Sequence, residues 1–278
     1  MVDIQPMLNP PARGWERDLP GPNDRPHATP GLFSNVPNHV DNIFVELSRA
    51  YLDFRGLIVW IAPLMFLAPF GMIWLAFLTF DDANPMPLGL LLLTAFVLMI
   101  GVWGGSVGVR MDISPPRDLP LRFNRARRKV YAYEFKSIWW NPFVRWPVWT
   151  VSYDWDDIRA EAWRQRGATA NGGYIVKTGV VLSVVKPGTN EVIDRFQLGA
   201  KAGGEAAWAY VCTYMQQGPQ ALPPSKWKPR DWNNEPTMNL ARLLAPKVKW
   251  PEAMDIESRT APSSDRAASA PFTDSACP

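Results

Sequence analysis

Two stretches decide the fold: LIVWIAPLMFLAPFGMIWLAFLTF at residues 57–80 and LGLLLLTAFVLMIGVWGGSVGV at residues 88–109. Neither contains an ionisable side chain, and only Asp81–Pro87 separates them. A helix rises about 1.5 Å per residue, so about 20 apolar residues cross a hydrocarbon layer of about 30 Å. A core helix of a soluble domain needs only one apolar stripe, whereas these runs are apolar all round. The sequence therefore predicts a transmembrane helical hairpin over residues 57–110, with polar sequence on both sides of it.

The flanks orient the hairpin. Arg110, Arg117, Arg122, Arg125, Arg127, Arg128 and Lys129 follow the second run, Arg49 and Arg55 precede the first, and the loop carries Asp81 and Asp82 without Lys or Arg. Basic residues near span ends stay in the cytoplasm, which puts both termini inside and the 81–87 loop outside. With no charge inside either run, nothing marks an ion path. Gly101 and Gly105, like Gly104 and Gly108, are one helical repeat apart and admit a close backbone neighbour. That neighbour is either the first span of the same chain or a second copy, which would make a homodimer.

Outside the spans the chain reads as four further segments. Residues 1–38 are Pro-dotted and lack an apolar signal-peptide core, so they read as a disordered leader. Val40, Ile43, Phe44, Leu47, Tyr51 and Phe54 recur at three- and four-residue steps and predict an amphipathic helix over 39–56. Alternating strands follow over 119–218: Leu121–Asn124, Lys129–Phe135, Trp149–Tyr153, Ile158–Trp163, Tyr174–Val185 and Glu191–Leu198. Lys186-Pro187-Gly188-Thr189-Asn190 has Pro and Gly where a type II turn wants them. Gly203-Gly204 opens a helix that Gly218-Pro219 stops. This is the plan of a small antiparallel β-barrel closed by a C-terminal helix, giving an α+β membrane protein. Residues 219–278 are Pro-rich and predict a largely disordered tail, with a short helix over Thr237–Leu244.

Catalytic chemistry finds little footing. The only two histidines, His27 and His39, fall in or beside the leader, and the two cysteines are Cys212 and Cys277. Such a set offers no metal-ligand spacing and no disulfide framework. Asp154, Asp156 and Asp157 are the densest carboxylates, but they sit in a turn, where Asp is favoured for its bonds to the backbone. Asn171-Gly172-Gly173 lacks the Lys-Ser/Thr of a phosphate cradle. The expectation is a non-enzymatic protein without metal or cofactor.

Two features are suited to binding. Arg122, Arg125, Arg127, Arg128 and Lys129 form a basic cluster near the membrane exit, a candidate contact for anionic lipid headgroups. Its bland reading is the ordinary cytoplasmic excess of positive charge on a solvated turn. Trp139, Trp140, Phe143, Trp146 and Trp149 form a candidate interface, since indoles favour both headgroup layers and protein contacts. Its bland reading is core filling.

The run Phe123-Asn124-Arg125-Ala126-Arg127-Arg128-Lys129-Val130-Tyr131 resembles the first hairpin turn of bacterial membrane-anchored pleckstrin-homology-like proteins. The Trp-rich stretch 139–155 and Tyr153-Asp154-Trp155-Asp156-Asp157-Ile158 are similar to those of a family of uncharacterised proteobacterial membrane proteins. Members are often encoded beside type VI secretion or Rhs toxins. The resemblance covers residues 40–218 and implies a pleckstrin-homology-like domain on the cytoplasmic face of the bacterial inner membrane, with the 81–87 loop periplasmic. By neighbourhood it implies an immunity or accessory protein that binds a toxin or secretion component. The alternative is a lipid- or peptide-sensing scaffold. A membrane tether argues against nucleic acid.

Overall fold

The computed structural model describes residues 5–32, 36–49, 55–80, 85–168, 173–199, 203–225 and 228–262. Its order is β1 (Trp15–Asp18), β2 (Pro37–Val40), β3 (Phe44–Leu47), α1 (Ile58–Thr79), α2 (Leu88–Ile113), β4 (Leu121–Asn124), β5 (Lys129–Phe135), β6 (Val148–Asp154), β7 (Ile158–Ala168), β8 (Tyr174–Val185), β9 (Val192–Gly199), α3 (Gly204–Gln217), α4 (Leu240–Leu244) and α5 (Glu252–Arg259).

α1 and α2 are each long and apolar enough to cross a membrane, and only 11% of the most apolar window of each is buried. Their large side chains, among them Trp60, Leu64, Trp74 and Phe77 of α1, face outward. A soluble core helix would bury that surface. The two helices meet through the glycine face. A Cβ on Gly101 would sit 2.9 Å from Pro69 Cγ and 3.0 Å from the Met65 carbonyl oxygen, and one on Gly105 would sit 2.8 Å from the Phe66 ring. Ile58 lies against Gly108. α1 of the same chain packs on Gly101, Gly105 and Gly108. Asp112 closes the base of the hairpin by accepting from Gly56 N at 3.0 Å and Val59 N at 2.9 Å, which caps α1. The described part of the connecting loop is 85–87; Asp81 and Asp82 lie outside the described residues.

All six expected strands of the β domain form, but they do not close a barrel. They belong to two antiparallel sheets, ordered β1-β7-β8-β9 and β2-β3-β4-β5-β6. The polypeptide leaves one sheet for the other at a 3-10 turn, Trp155–Asp157. Between the sheets Trp155 is fully buried, set edge-on to Phe123 at 6.1 Å and tilted on Trp208 of α3 at 5.3 Å. Leu121, Leu182, Val211 and Tyr214 fill the same core, so α3 closes the sandwich. α3 begins at Gly203 with φ +99° and ends at Gly218 with φ +89°, both in the region that glycine adopts without strain. The Lys186–Asn190 turn forms, with Gly188 at φ +74° and Thr189 N bonded to Lys186 O at 3.0 Å.

Three further sequence expectations are corrected. The helix expected over 39–56 is instead the β2–β3 hairpin. The Asp41 carboxylate accepts from Ile43 N at 2.7 Å and Phe44 N at 2.8 Å, an Asx turn that gives these N–H groups a local alternative to helical bonding. β3 then pairs with β4, Phe44 opposite Asn124 and Leu47 opposite Leu121, so Val45 is buried although the helical stripe left it out. Tyr51 and Phe54 lie outside the described residues. The leader is ordered where described: β1 pairs with β7, Leu8 and Ala12 are buried, and Ala12 N donates to buried Glu161 at 2.8 Å. The tail is likewise built in up to residue 262, with Ala241, Ala245 and Ser258 buried.

Candidate functional site

β5 carries one sequence-predicted site at each end. At its start is the β4–β5 turn, where Asn124 Oδ1 accepts from Arg127 N at 2.8 Å and Arg128 takes φ +51°. The sequence offered this turn as a lipid contact; the structure buries Arg122 and gives Arg127, Arg128 and Lys129 partners within the chain, while Arg128 and Lys129 stay part-exposed. Arg122 is 2% exposed: it pairs with Glu46, donates to Asp255 at 2.6 Å and Ser258 Oγ at 2.8 Å, and its guanidinium lies 4.4 Å from the Trp250 ring centroid. Arg127 donates to the carbonyl oxygens of Thr260 and Ala261 at 2.9 and 3.0 Å. Arg128 pairs with Asp156 at 2.6 Å and Lys129 with Glu257 at 3.0 Å. Arg125 has a buried Nε without a hydrogen-bond partner in the structure. The cluster thus spends its charge on α5, on the residues just after it and on the Asp154–Asp157 turn. Hydrogen bonding from Arg128 holds the Asp156 carboxyl below the ordinary carboxylate range, and Lys129 does the same for Glu257.

At the other end of β5 lies the loop of residues 136–147, which leads into β6. Trp139, Trp140 and Phe143 are 58%, 64% and 75% exposed, and Val144, Val148 and Trp149 continue the apolar surface. Trp146 departs from the expected interface. It is 4% exposed, tilted on Phe135 at 6.0 Å, beneath the Arg110 guanidinium at 5.3 Å, and donates Nε1 to Asn141 O at 3.2 Å. It is the peg on which the exposed rings are mounted. The loop also leans on α2: Trp103 Nε1 donates to Trp140 O at 3.3 Å, and Arg110 donates to Val144 O at 2.7 Å.

The Asp154–Asp157 turn is structural in its contacts, with Asp156 accepting from Asn23 at 2.8 Å as well as from Arg128. Burial pushes the Cys212 thiol well up, away from a reactive thiolate. Among the described residues no group of three or more His, Cys, Asp or Glu is placed to hold a metal.

One site escaped the sequence reading. A polar cleft of about 670 Å³ lies between the β2–β3 hairpin and residues 231–259, lined by Asn38, His39, Glu46, Arg122, Trp250 and Asp255 among others. Asn38 Nδ2 donates to Glu46 at 2.9 Å and to Asp118 at 2.6 Å, and burial raises the Asp118 carboxyl above its ordinary range. Half of its wall comes from a tail read as disordered, so no local signal marked it.

A model described as a family of unknown function, DUF6708, matches residues 98–262. That is more than half of the chain. The chain belongs to DUF6708. The DUF6708 match starts inside α2 and ends just past α5, so it takes in the glycine face, the aromatic loop, strands β4–β9 and the C-terminal strap. It leaves out β1–β3 and α1. No curated protein and no solved structure matches the chain.

Proposed function

We propose that this DUF6708 protein is a non-enzymatic binding module, held in the bacterial inner membrane by the α1–α2 hairpin with its β domain on the cytoplasmic side. The observation that carries the reading is the bare apolar surface of two long antiparallel helices, only 11% of each window being buried. In water such a surface would drive aggregation; in a bilayer it is solvated. Arg55, Arg110 and Arg117 at the base of the hairpin favour the cytoplasmic side for the domain.

The β domain is the partner-binding part. The role proposed is immunity or accessory factor for a toxin of type VI secretion, read from the resemblance at residues 123–131 and 139–158. Co-expression with a toxin encoded beside the gene tests it: growth is rescued if the role is right, and unaffected killing overturns it. A lipid- or peptide-sensing scaffold is the second reading, favoured by the exposed aromatic loop. Trp139, Trp140 and Phe143 support it; of the basic turn, Arg122 is buried against α5, while Arg128 and Lys129 keep part of their surface.

A further inference from the structure

We propose that the loop between β5 and β6 is a third membrane contact, with Trp139, Trp140 and Phe143 immersed in the phospholipid leaflet that α1 enters and α2 leaves. The proposal rests on the hairpin spanning the bilayer. It adds that the β domain is seated on the lipid surface rather than hung from it.

The depth follows from the register of the two helices. Ile58, the first residue of α1, meets Gly108 of α2, and Arg110 is the first charged residue along α2. The hydrocarbon edge therefore falls near Gly108. Trp103 is five residues further in, about 7.5 Å along the axis, and helical side chains lean toward the N-terminus, here deeper still. The loop reaches this residue. Trp140 O takes the Trp103 indole N–H at 3.3 Å, and the Trp139 and Trp103 rings meet edge-on at 6.5 Å. The loop thus extends past the edge of the hydrocarbon on the flank of α2.

Part of the loop backbone is paired within the protein. Irregular chain at membrane depth must satisfy its polar groups without water. Asn141 N bonds to Ile138 O at 3.0 Å, Phe143 N to Asn141 Oδ1 at 3.0 Å, and Lys136 N to Pro147 O at 3.1 Å. The Asn141 and Val144 carbonyls take Trp146 Nε1 and Arg110. Pro142 and Pro147 bring no N–H at all. Lys136 and Arg145 of the loop are exposed, and long basic side chains of this kind can reach lipid phosphates from beside a buried apolar patch. Aromatic rings inside and cations at the rim match a leaflet, and the packing on α2 makes the patch continuous with the apolar surface of the hairpin.

The test uses the full chain in nanodiscs of phosphatidylethanolamine and phosphatidylglycerol. Cys277→Ser removes the tail thiol, and Cys212 is buried. An environment-sensitive fluorophore is placed at Phe143→Cys, with Trp140→Cys as a second reporter. Phe96→Cys in α2 serves as the span control and Thr189→Cys in the β8–β9 turn as the water control. The expected result is blue-shifted emission, quenched by brominated lipids, at 96, 143 and 140 but not at 189. The loop positions should answer best to bromines near the headgroup end of the acyl chain. Quenching at 96 with water-like, unquenched emission at 143 and 140 overturns the proposal and leaves the hairpin standing. Water-like emission at 96 removes the spanning reading and this proposal with it.

Discussion

The two ends of β5 looked alike as surfaces but are used differently. The turn before it gathers five basic residues, and the loop after it gathers exposed aromatic rings. In the turn, Arg122, Arg127, Arg128 and Lys129 all have partners inside the chain, three of them on the strap that runs through α5 to Ala261. In the loop, Trp146 is buried while Trp139, Trp140 and Phe143 point outward. A cluster of charge is a free surface only if its counter-charges lie elsewhere. Here Asp255 and Glu257 lie more than a hundred residues further along the sequence, where no window around the turn includes them.

The contrast is most sharply broken at Arg122. Arg122→Ala takes the cation from part-buried Glu46, which keeps the Asn38 amide, and one of two cations from Asp255, which keeps Arg259. Breaking a fully buried ion pair costs about 3–5 kcal/mol, and this loss should approach the lower end of that range. Thermal unfolding of the purified protein in detergent reads this as a large drop in midpoint, whereas a solvated lipid-contact arginine would change almost nothing.

The next effect belongs to the hairpin. Gly101→Val places new atoms against Pro69 and the Met65 carbonyl, and overpacking of this kind costs about 1–3 kcal/mol. Gly89→Ala, with nothing within 4 Å, is the matched control in the same unfolding assay. Equal behaviour of the two would contradict the packing of α2 on α1.

A smaller effect follows acidification. Lys129 holds the Glu257 carboxyl below its ordinary value of 4.5. The ionised form is therefore favoured in the folded state, so this contribution is full above 4.5 and is lost as pH falls through the lower folded value. Asp156 beside Arg128 acts in the same direction. Hydrogen exchange should show α5 loosening only on the acid side, with no change between neutral and mildly alkaline pH, and Lys129→Met should shrink the Glu257 part, leaving what Tyr131 and Arg127 contribute. The smallest effect is at Phe143→Ser, where an exposed ring contributes within about 0.5 kcal/mol to domain stability. A larger loss would mean that the ring packs against protein.

What was legible followed range in sequence. The uncharged runs, the six strands, the Pro187-Gly188 turn and the glycine-bounded α3 are all marked by neighbours within a few residues. β2–β3 was misread because the spacing of Val40, Ile43, Phe44 and Leu47 also fits a helix face, and only pairing with Leu121–Asn124, across the whole hairpin, decides for strands. The closed barrel failed for a related reason: β1 and β3, from before the hairpin, complete sheets begun after it. Of the candidate sites, the aromatic loop was readable from its density of indoles. Trp146 as the buried peg was not, since Arg110 and Phe135 hold it from other elements.

The most direct test compares the two ends of β5 in one experiment. Spin labels at Phe143→Cys and at Ala126→Cys, on the exposed tip of the basic turn, are examined by electron paramagnetic resonance in lipid nanodiscs. Relaxation is measured with oxygen, which concentrates in lipid, and with a water-soluble nickel chelate. The account predicts oxygen-dominated relaxation at 143 and nickel-dominated relaxation at 126. Nickel-dominated relaxation at both, or the reverse order, would contradict it.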